Sequence, residues 1–245
     1  MSGAERIVKT DVKSGRDYAA ANWGFHKDVY ARGYGIQYPE GHVIRAYERV
    51  LKYELGFQET SPAKTLLDFG CGNGTHVLYF QKKHFEVYGV DADPIAIRSC
   101  KERMSDIASH FKEISPKPSD SDFFPGVRFD VILSNQVLYY LSDSDLERCI
   151  ETLWQQTKPN GVFIATMMAK ESGFYAHSEP AKDGLRRVRV QGRENGESYI
   201  NFTNDKEDLK RKFVRFNPLH VGHYDTVIRE EEGSGLHYLF IGQKK

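Results

Sequence analysis

Two aspartates and a run of glycines are the residues whose types and spacing suggest chemistry. The stretch TLLDFGCGNGTHVLYF, residues 65–80, sets Asp68 just ahead of Gly70, Cys71, Gly72, Asn73 and Gly74. Glycine is a poor strand or helix residue. Concentrated between an apolar run and a helical one, it signals a tight turn with something lying close against the backbone. Asp91 closes a second apolar run, FEVYGV at 85–90. A carboxylate there accepts hydrogen bonds from two neighbouring ribose hydroxyls, and its charge strengthens both. Two ligand classes compete for such a loop. A dinucleotide pyrophosphate calls for G-x-G-x-x-G and is ill matched to an acid beside it. Here the spacing is Gly70-x-Gly72-x-Gly74, and Asp68 suits a ligand carrying a positive amino group. Asp91 serves both classes.

Such residues must be held by strands that end together, and the sequence supplies them. Residues 40–55 carry a helical stripe of Val43, Ile44, Tyr47, Val50, Leu51 and Leu55, stopped by Gly56. Thr65 to Phe69 reads as a buried strand, Thr75 to about Lys83 as a helix, and 85–90 as a strand. Asp93-Pro94 starts a helix whose face holds Ile97, Cys100, Met104, Ile107 and Phe111. Residues 114–128 read mainly as loop, with a third strand expected nearby but not placed. Residues 129–135 form a strand. A helix from about Ser144, with a Ser144–Glu147 capping box, packs Leu146, Cys149, Ile150, Leu153 and Trp154, and KPNG ends it. GVFIATMM, 161–168, is another strand. RVRVQGRENGESYINF, 187–202, reads as an inserted hairpin turning at Asn195-Gly196. A helix capped by Asn204 with Glu207 runs to about Phe213, and HVGHYDTVI and LHYLFIGQK make a closing hairpin.

Continuous apolar strands alternating with helices predict a parallel sheet covered on both faces. The fold expected is α/β: a three-layer sandwich around a seven-stranded, mostly parallel sheet with its last strand antiparallel. An N-terminal helical lid and a small hairpin insert are added to it. The division expected is 1–56 as the lid and helical segment and 57–245 as the ligand-binding domain, with a substrate-cover insert at about 170–202.

Composition narrows the partners. The chain has 245 residues, with 34 Lys and Arg against 34 Asp and Glu. That balance gives no electrostatic case for a nucleic-acid or anionic-membrane surface. Cys71, Cys100 and Cys149 are widely spaced and form no metal pattern, so free thiols and no metal are expected. No signal peptide and no bilayer-spanning run are read. A cytoplasmic protein, monomer or homodimer, is expected.

Taken in order, LLDFGCGNGT, GVDADP, FDVILSNQVLYYL, KPNGVFIA and the closing hairpin resemble the class I S-adenosylmethionine-dependent methyltransferases. The resemblance covers about residues 40–168 and the last forty. It implies S-adenosyl-L-methionine as cofactor. Asp68 and the backbone of Gly70, Cys71, Gly72 and Asn73 would hold its methionine end, and Asp91, with Ala92 beside it, the ribose. Residues near Asp120 would face the adenine, and Asn135 and Gln136 would border the methyl group. The stretch PSDSDFF departs from the usual setting after the third strand and leaves Asp120 and Asp122 both open. The implied activity is in-line transfer of the methyl to an O- or N-nucleophile of a small molecule. The alternative is a non-catalytic S-adenosylmethionine-binding sensor or scaffold; a nicotinamide-dependent oxidoreductase is disfavoured by the glycine spacing and the terminal hairpin.

The acceptor side is less defined. The Asp/Asn-Pro-Pro-aromatic signature of amino-group methylation on bases and glutamine is missing, since the fourth strand ends SNQVLYY. No residue announces itself as a base. Tyr139, His26 and His177 are the catalytic candidates, with His220 and His223 behind them, and each has an ordinary surface or core reading beside the functional one. Trp23, Tyr30, Tyr34 and Tyr139 are the substrate-binding candidates. The aromatic-rich stretch 16–38 reads either as a lid over cofactor and acceptor or as packing.

Overall fold

The computed structural model describes residue 18 and residues 38–57, 62–117, 122–189, 197–227, 230 and 233–245. The first helix, α1 (Gly41–Arg45), widens without a break into a π-helix over Ala46–Glu54. Leu55 N–H reaches back five residues to Val50 O at 2.9 Å. Val43 in the α-helical turn and Tyr47, Val50 and Leu51 in the π-helix are buried, while Ile44, 36 % exposed, stands at the solvent boundary. The stripe read from the sequence is corrected at that position. Gly56, at φ 70°, ends the segment in the left-handed conformation.

The alternating units follow: β1 (Thr65–Phe69), α2 (Thr75–Gln81), β2 (Glu86–Asp91) and α3 (Pro94–Arg103). Asp93 caps α3 by accepting from Ile95 N and Ala96 N at 2.6 and 3.3 Å, with Pro94 in the first turn, as the sequence predicts. The helix ends earlier than its apolar face suggests. A 3-10 turn at Ser105–His110 intervenes, and Phe111 begins the missing third strand, β3 (Phe111–Glu113), instead of extending the helix. Three residues are too few to show a period, so the strand was not placed by its pattern.

Next come β4 (Phe129–Ser134), α4 (Asp143–Gln156) and β5 (Thr157–Met168). The cap of α4 is Ser142, whose Oγ accepts from Asp145 N at 3.2 Å; Ser144 bonds Asp183 instead. The strand takes in the KPNG stretch, with Asn160 at φ 61°. After α5 (Gly173–Ala176), the insert is a three-stranded antiparallel sheet: β6 (Ser178–Pro180), β7 (Arg186–Arg189) and β8 (Glu197–Ile200). The hairpin read from the sequence is β7–β8, and its turn at Asn195-Gly196 lies outside the described residues. The helix α6 (Lys206–Lys212) is capped by Asp205 on Asp208 N at 2.7 Å, not by Asn204. The chain closes with β9 (Asn217–Tyr224) and β10 (His237–Gln243).

The main sheet has seven strands in the order β3-β2-β1-β4-β5-β10-β9. The five from β3 to β5 are parallel, and β10 runs antiparallel to both of its neighbours. Alternate residues face opposite layers. Leu66, Val131, Leu133 and Ile164 meet α1, α2 and α3, while Leu67, Ile132, Phe163 and Ala165 meet α4 and α6. The sequence direction reverses between β1 and β4. A crevice therefore opens beyond the carboxyl ends of these strands, where α/β sheets bind ligands.

Candidate active site

The loop after β1 supplies the first wall. Gly70, Gly72 and Gly74 all have positive φ, at 79°, 51° and 80°. Two of the three answer to the protein itself. A Cβ on Gly70 would come within 2.2 Å of Val137 Cγ2, and one on Gly74 within 2.7 Å of Met104 Cε. Gly72 turns its N–H to Asp91 Oδ2 at 2.7 Å, and Asp93 N–H takes Asp91 Oδ1 at 2.8 Å. Asn73 is tied down as well, accepting from Thr75 Oγ1 at 2.9 Å and, through its carbonyl, from Arg103 Nη1 at 2.7 Å.

Asp68 stands apart. It is 1 % exposed, and neither carboxylate oxygen has a hydrogen-bond partner among the described residues. Burial, with Asp91 adding to it, pushes its pKa up to about 8. His76 Nδ1 lies 3.9 Å away, but burial takes that imidazole down to about 4, so at neutral pH the contact is not an ion pair. Asp91 is also raised by burial, against the lowering effect of backbone N–H groups from Asp93, Gly72 and Ala92. Two acids thus share one edge, and among the described residues no Lys or Arg pairs with either. A buried acceptor left without a donor costs about 1–3 kcal/mol, and among the described residues nothing offsets that cost for Asp68. Beyond it, Ile114 N–H bonds Asp91 O at 2.9 Å, and a cavity lined by Phe69, Ile114, Phe123, Leu141 and Asp122 opens.

A second wall rises where β4 ends. Gln136, at φ 59°, holds its N–H on Thr166 Oγ1 at 2.7 Å. Its Nε2 donates to Glu40 Oε2 and to Tyr224 Oη, both at 3.1 Å. Asn135 Oδ1 accepts from His42 Nε2 at 2.7 Å. His42 Nδ1 faces Glu40 Oε2 at 3.3 Å. Burial raises the pKa of Glu40 and lowers that of His42, so each is pushed toward its neutral form. The His42 ring stacks on Tyr224 at 3.7 Å, and Tyr224 lies parallel to His237 at 5.2 Å. Tyr139 sits 5.5 Å from His237, and burial pushes its phenol well up. The array draws on five segments of chain: 40–42, 135–139, 166, 224 and 237.

Residues 67–163 match a family model described as "Methyltransferase domain". A structure of an S-adenosylmethionine-dependent methyltransferase from Methanosarcina mazei superposes with a TM-score of 0.63 at 18 % identity, covering 78 % of this chain and 97 % of the other. The fold is that of the class I S-adenosylmethionine-dependent methyltransferases. A second structure with this methyltransferase fold, Burkholderia thailandensis 1,6-didemethyltoxoflavin-N1-methyltransferase, covers 93 % of this chain and 89 % of its own at 20 % identity and a TM-score of 0.61. Among curated relatives, phosphoethanolamine N-methyltransferase 3 of Arabidopsis thaliana is 30 % identical over 124 residues, 49 % of this chain and 24 % of that protein. A dTDP-3-amino-3,4,6-trideoxy-alpha-D-glucopyranose N,N-dimethyltransferase of Streptomyces venezuelae is 25 % identical over 107 residues, 43 % of each. The matches span between about a quarter and a half of the curated relatives' own lengths.

Within this methyltransferase fold, Asp68, Gly70, Cys71, Gly72, Asn73, Asp91 and Ala92 gather on the first wall, and Asn135, Gln136 and Tyr139 on the second. Asp122 borders the cavity with its carboxylate 3.0 Å from Arg128 Nη1. Asp120, Trp23, His26, Tyr30 and Tyr34 lie outside the described residues, as does most of the 16–38 stretch. His177 is exposed at the end of α5, His223 is exposed on β9, and His220 pairs with Glu54 at 2.8 Å on an exposed face. No bond among the described residues joins these three to the array. Sequence reasoning missed Glu40, His42, Thr166, Tyr224 and His237. One signal was available for two of them. In a sheet whose last strand is reversed, the first residue of β10 and the last of β9 fall at the crevice.

Proposed function

We propose that this chain transfers a methyl group from S-adenosylmethionine to a small-molecule acceptor. The unpartnered carboxylate of Asp68 carries the reading. It is a buried acid without a counter-ion among the described residues, and the cofactor's amino group has the charge and the donors it lacks. The rest of the wall fits too. Asp91 Oδ2 accepts from Gly72 N–H and Oδ1 from Asp93 N–H, and a carboxylate has lone pairs beyond these for ribose hydroxyls. The apolar cavity beyond β3 suits a flat base. When bound, S-adenosylmethionine supplies an electrophilic methyl on a sulfonium. The chain's part is to orient the two molecules and exclude water. Asn135 and Gln136, held by His42, Glu40, Thr166 and Tyr224, make the second wall rigid.

A nitrogen acceptor is the preferred class, since both curated relatives described above are named as N-methyltransferases. The zero net charge supports a small acceptor over nucleic acid, and three buried unpaired thiols support a reducing, cytoplasmic setting. Among the described residues no helix is long and apolar enough to cross a membrane.

Calorimetric titration with S-adenosylmethionine, S-adenosylhomocysteine and NAD tests the cofactor. Both sulfur ligands should bind and NAD should not. Labelled methyl transfer to a panel of small amines and hydroxyl compounds then tests turnover. Binding of NAD with neither sulfur ligand would overturn the reading.

A further inference from the structure

His237 opens β10 beside Met168, at the carboxyl edge of β5. Its Nδ1–H is committed to Gly235 O at 2.6 Å, which leaves Nε2 with the lone pair. That nitrogen is buried and has no partner among the described residues, in a side chain only 7 % exposed. The parallel ring of Tyr224 and the Gly235 bond fix the imidazole plane, so Nε2 has a set direction. A buried acceptor held without a donor is costly, and an apolar ring would fill the same place without that cost.

The surroundings keep it an acceptor. Tyr139, Tyr224 and His42 face it in the array, and Asp225 acts on it from the end of β9. Burial lowers its pKa to about 4, so the ring is neutral at pH 7. Both phenols are held neutral by burial as well. No Lys or Arg bonds into the array among the described residues. Around that lone pair, unmet among the described residues, stand the rings of Tyr139, Tyr224 and His42, with Glu40 behind His42 at 3.3 Å.

We propose that His237 Nε2 receives a hydrogen bond from the N–H or O–H of the methyl acceptor, an uncharged aromatic small molecule. This rests on the methyltransferase reading above and adds the acceptor's chemistry to it. The contact also separates substrate from product. As the acceptor's oxygen or nitrogen bonds the methyl and the sulfonium C–S bond breaks, the donated hydrogen leaves as a proton through Nε2 to solvent, and a methylated hydroxyl or fully methylated amine has none left with which to make the bond.

The test uses the full chain loaded with S-adenosylhomocysteine and two matched probe pairs: phenol with anisole, and aniline with N,N-dimethylaniline. Phenol and aniline should bind wild type about fivefold tighter than their methylated partners, the factor expected of one neutral hydrogen bond. They alone should move the Nε2 signal of His237 in nitrogen NMR. In His237→Phe, which keeps the stacked ring, the gap should close while S-adenosylhomocysteine affinity stays unchanged. Equal binding within each pair in wild type, or a gap that survives in His237→Phe, overturns the proposal alone. Failure of wild type to bind S-adenosylhomocysteine overturns the methyltransferase reading and the proposal with it. The NMR shift in wild type decides the matter even if the variant does not fold.

Discussion

Asp68 and Asp130 sit on adjacent strands near opposite ends of the same parallel sheet, and they are treated in opposite ways. Asp130, at the amino end of β4, accepts from Lys158 Nζ at 2.7 Å and from Thr65 N and Oγ1 at 2.9 Å, with Lys64 Nζ at 3.4 Å. Burial alone would raise its pKa, but the bonds from Lys158 and Thr65 outweigh it and the net shift is down. Asp68, at the carboxyl end of β1, has no such partner and is raised to about 8. The protein can satisfy a carboxylate on this sheet, and at one end it does. At the other end, the carboxylate of Asp68 is left without a donor among the described residues. Stability is built at the amino edge and spent at the carboxyl edge.

The largest effect should come from Asp68→Asn, and it should carry two signs. Removing the charge that meets the cofactor's ammonium should weaken S-adenosylhomocysteine more than about a hundredfold, the range for breaking a buried pair. The same change should stabilise the free protein at pH 8 by up to about 5 kcal/mol. The folded pKa lies above the unfolded one, so the penalty is absent below about pH 4 and grows as pH rises toward 8. Denaturant titrations at pH 4 and pH 8, with calorimetry alongside, check both signs. A variant that loses stability at pH 8 would place Asp68 with Asp130 among the structural acids.

Asp130→Ala should do the reverse. It should cost about 1–3 kcal/mol of stability at pH 7 and leave cofactor affinity unchanged. The lower end is expected, because Lys64 and Lys158 are more than a third exposed and solvent screens them. Here the folded pKa lies below the unfolded one. The contribution is fully present above the unfolded value of about 4 and is lost as pH falls through the folded pKa. Wild type and variant should therefore converge in strong acid and diverge at neutral pH. An affinity loss in Asp130→Ala would mean that the two ends of the sheet are coupled.

The same contrast explains what the sequence shows and what it hides. The first wall comes from one strand–loop–helix–strand unit, so Asp68, the glycines and Asp91 stand within 24 residues and are read together. The parallel core is legible for the same reason: its strands are apolar runs, and Asp93-Pro94 is a local start signal. What fails locally is β3, too short for a period, and the caps of α4 and α6, where Ser142 and Asp205 win over neighbours of similar chemistry. The second wall is assembled by topology. Glu40 and His42 precede the first strand, while Tyr224 and His237 end and begin strands of the closing hairpin. Their side chains meet only after the sheet forms, and no spacing in the sequence announces it.

Cofactor binding near neutral pH should release a proton. In the free protein Asp68 is mostly protonated at pH 7, because its pKa is about 8. An ammonium beside it would favour the carboxylate and expel up to about one proton. Calorimetric titrations in buffers of different ionisation enthalpy read that number directly. Affinity should also rise with pH between 6 and 8, by up to about tenfold per unit. No buffer dependence would mean that Asp68 is already ionised in the free protein, and the contrast with Asp130 would lose its electrostatic basis.

The smallest effect should be found among the histidines that the sequence put forward. His220 bonds Glu54 at 2.8 Å, but both side chains are 46 % exposed. Such a pair contributes about 0–1 kcal/mol, and water screens it. His177 and His223 are exposed too. His220→Ala and His177→Ala should change stability by less than about 0.5 kcal/mol and leave both cofactor affinity and turnover as in wild type. This null result has content, because it separates exposed imidazoles from the buried ones at the crevice. His42 and His237 are held by the Asn135 and Gly235 bonds and by Tyr224 between them. A large loss of turnover in His220→Ala, with folding and cofactor binding intact, would move the acceptor site to the outer face of β9 and away from the array.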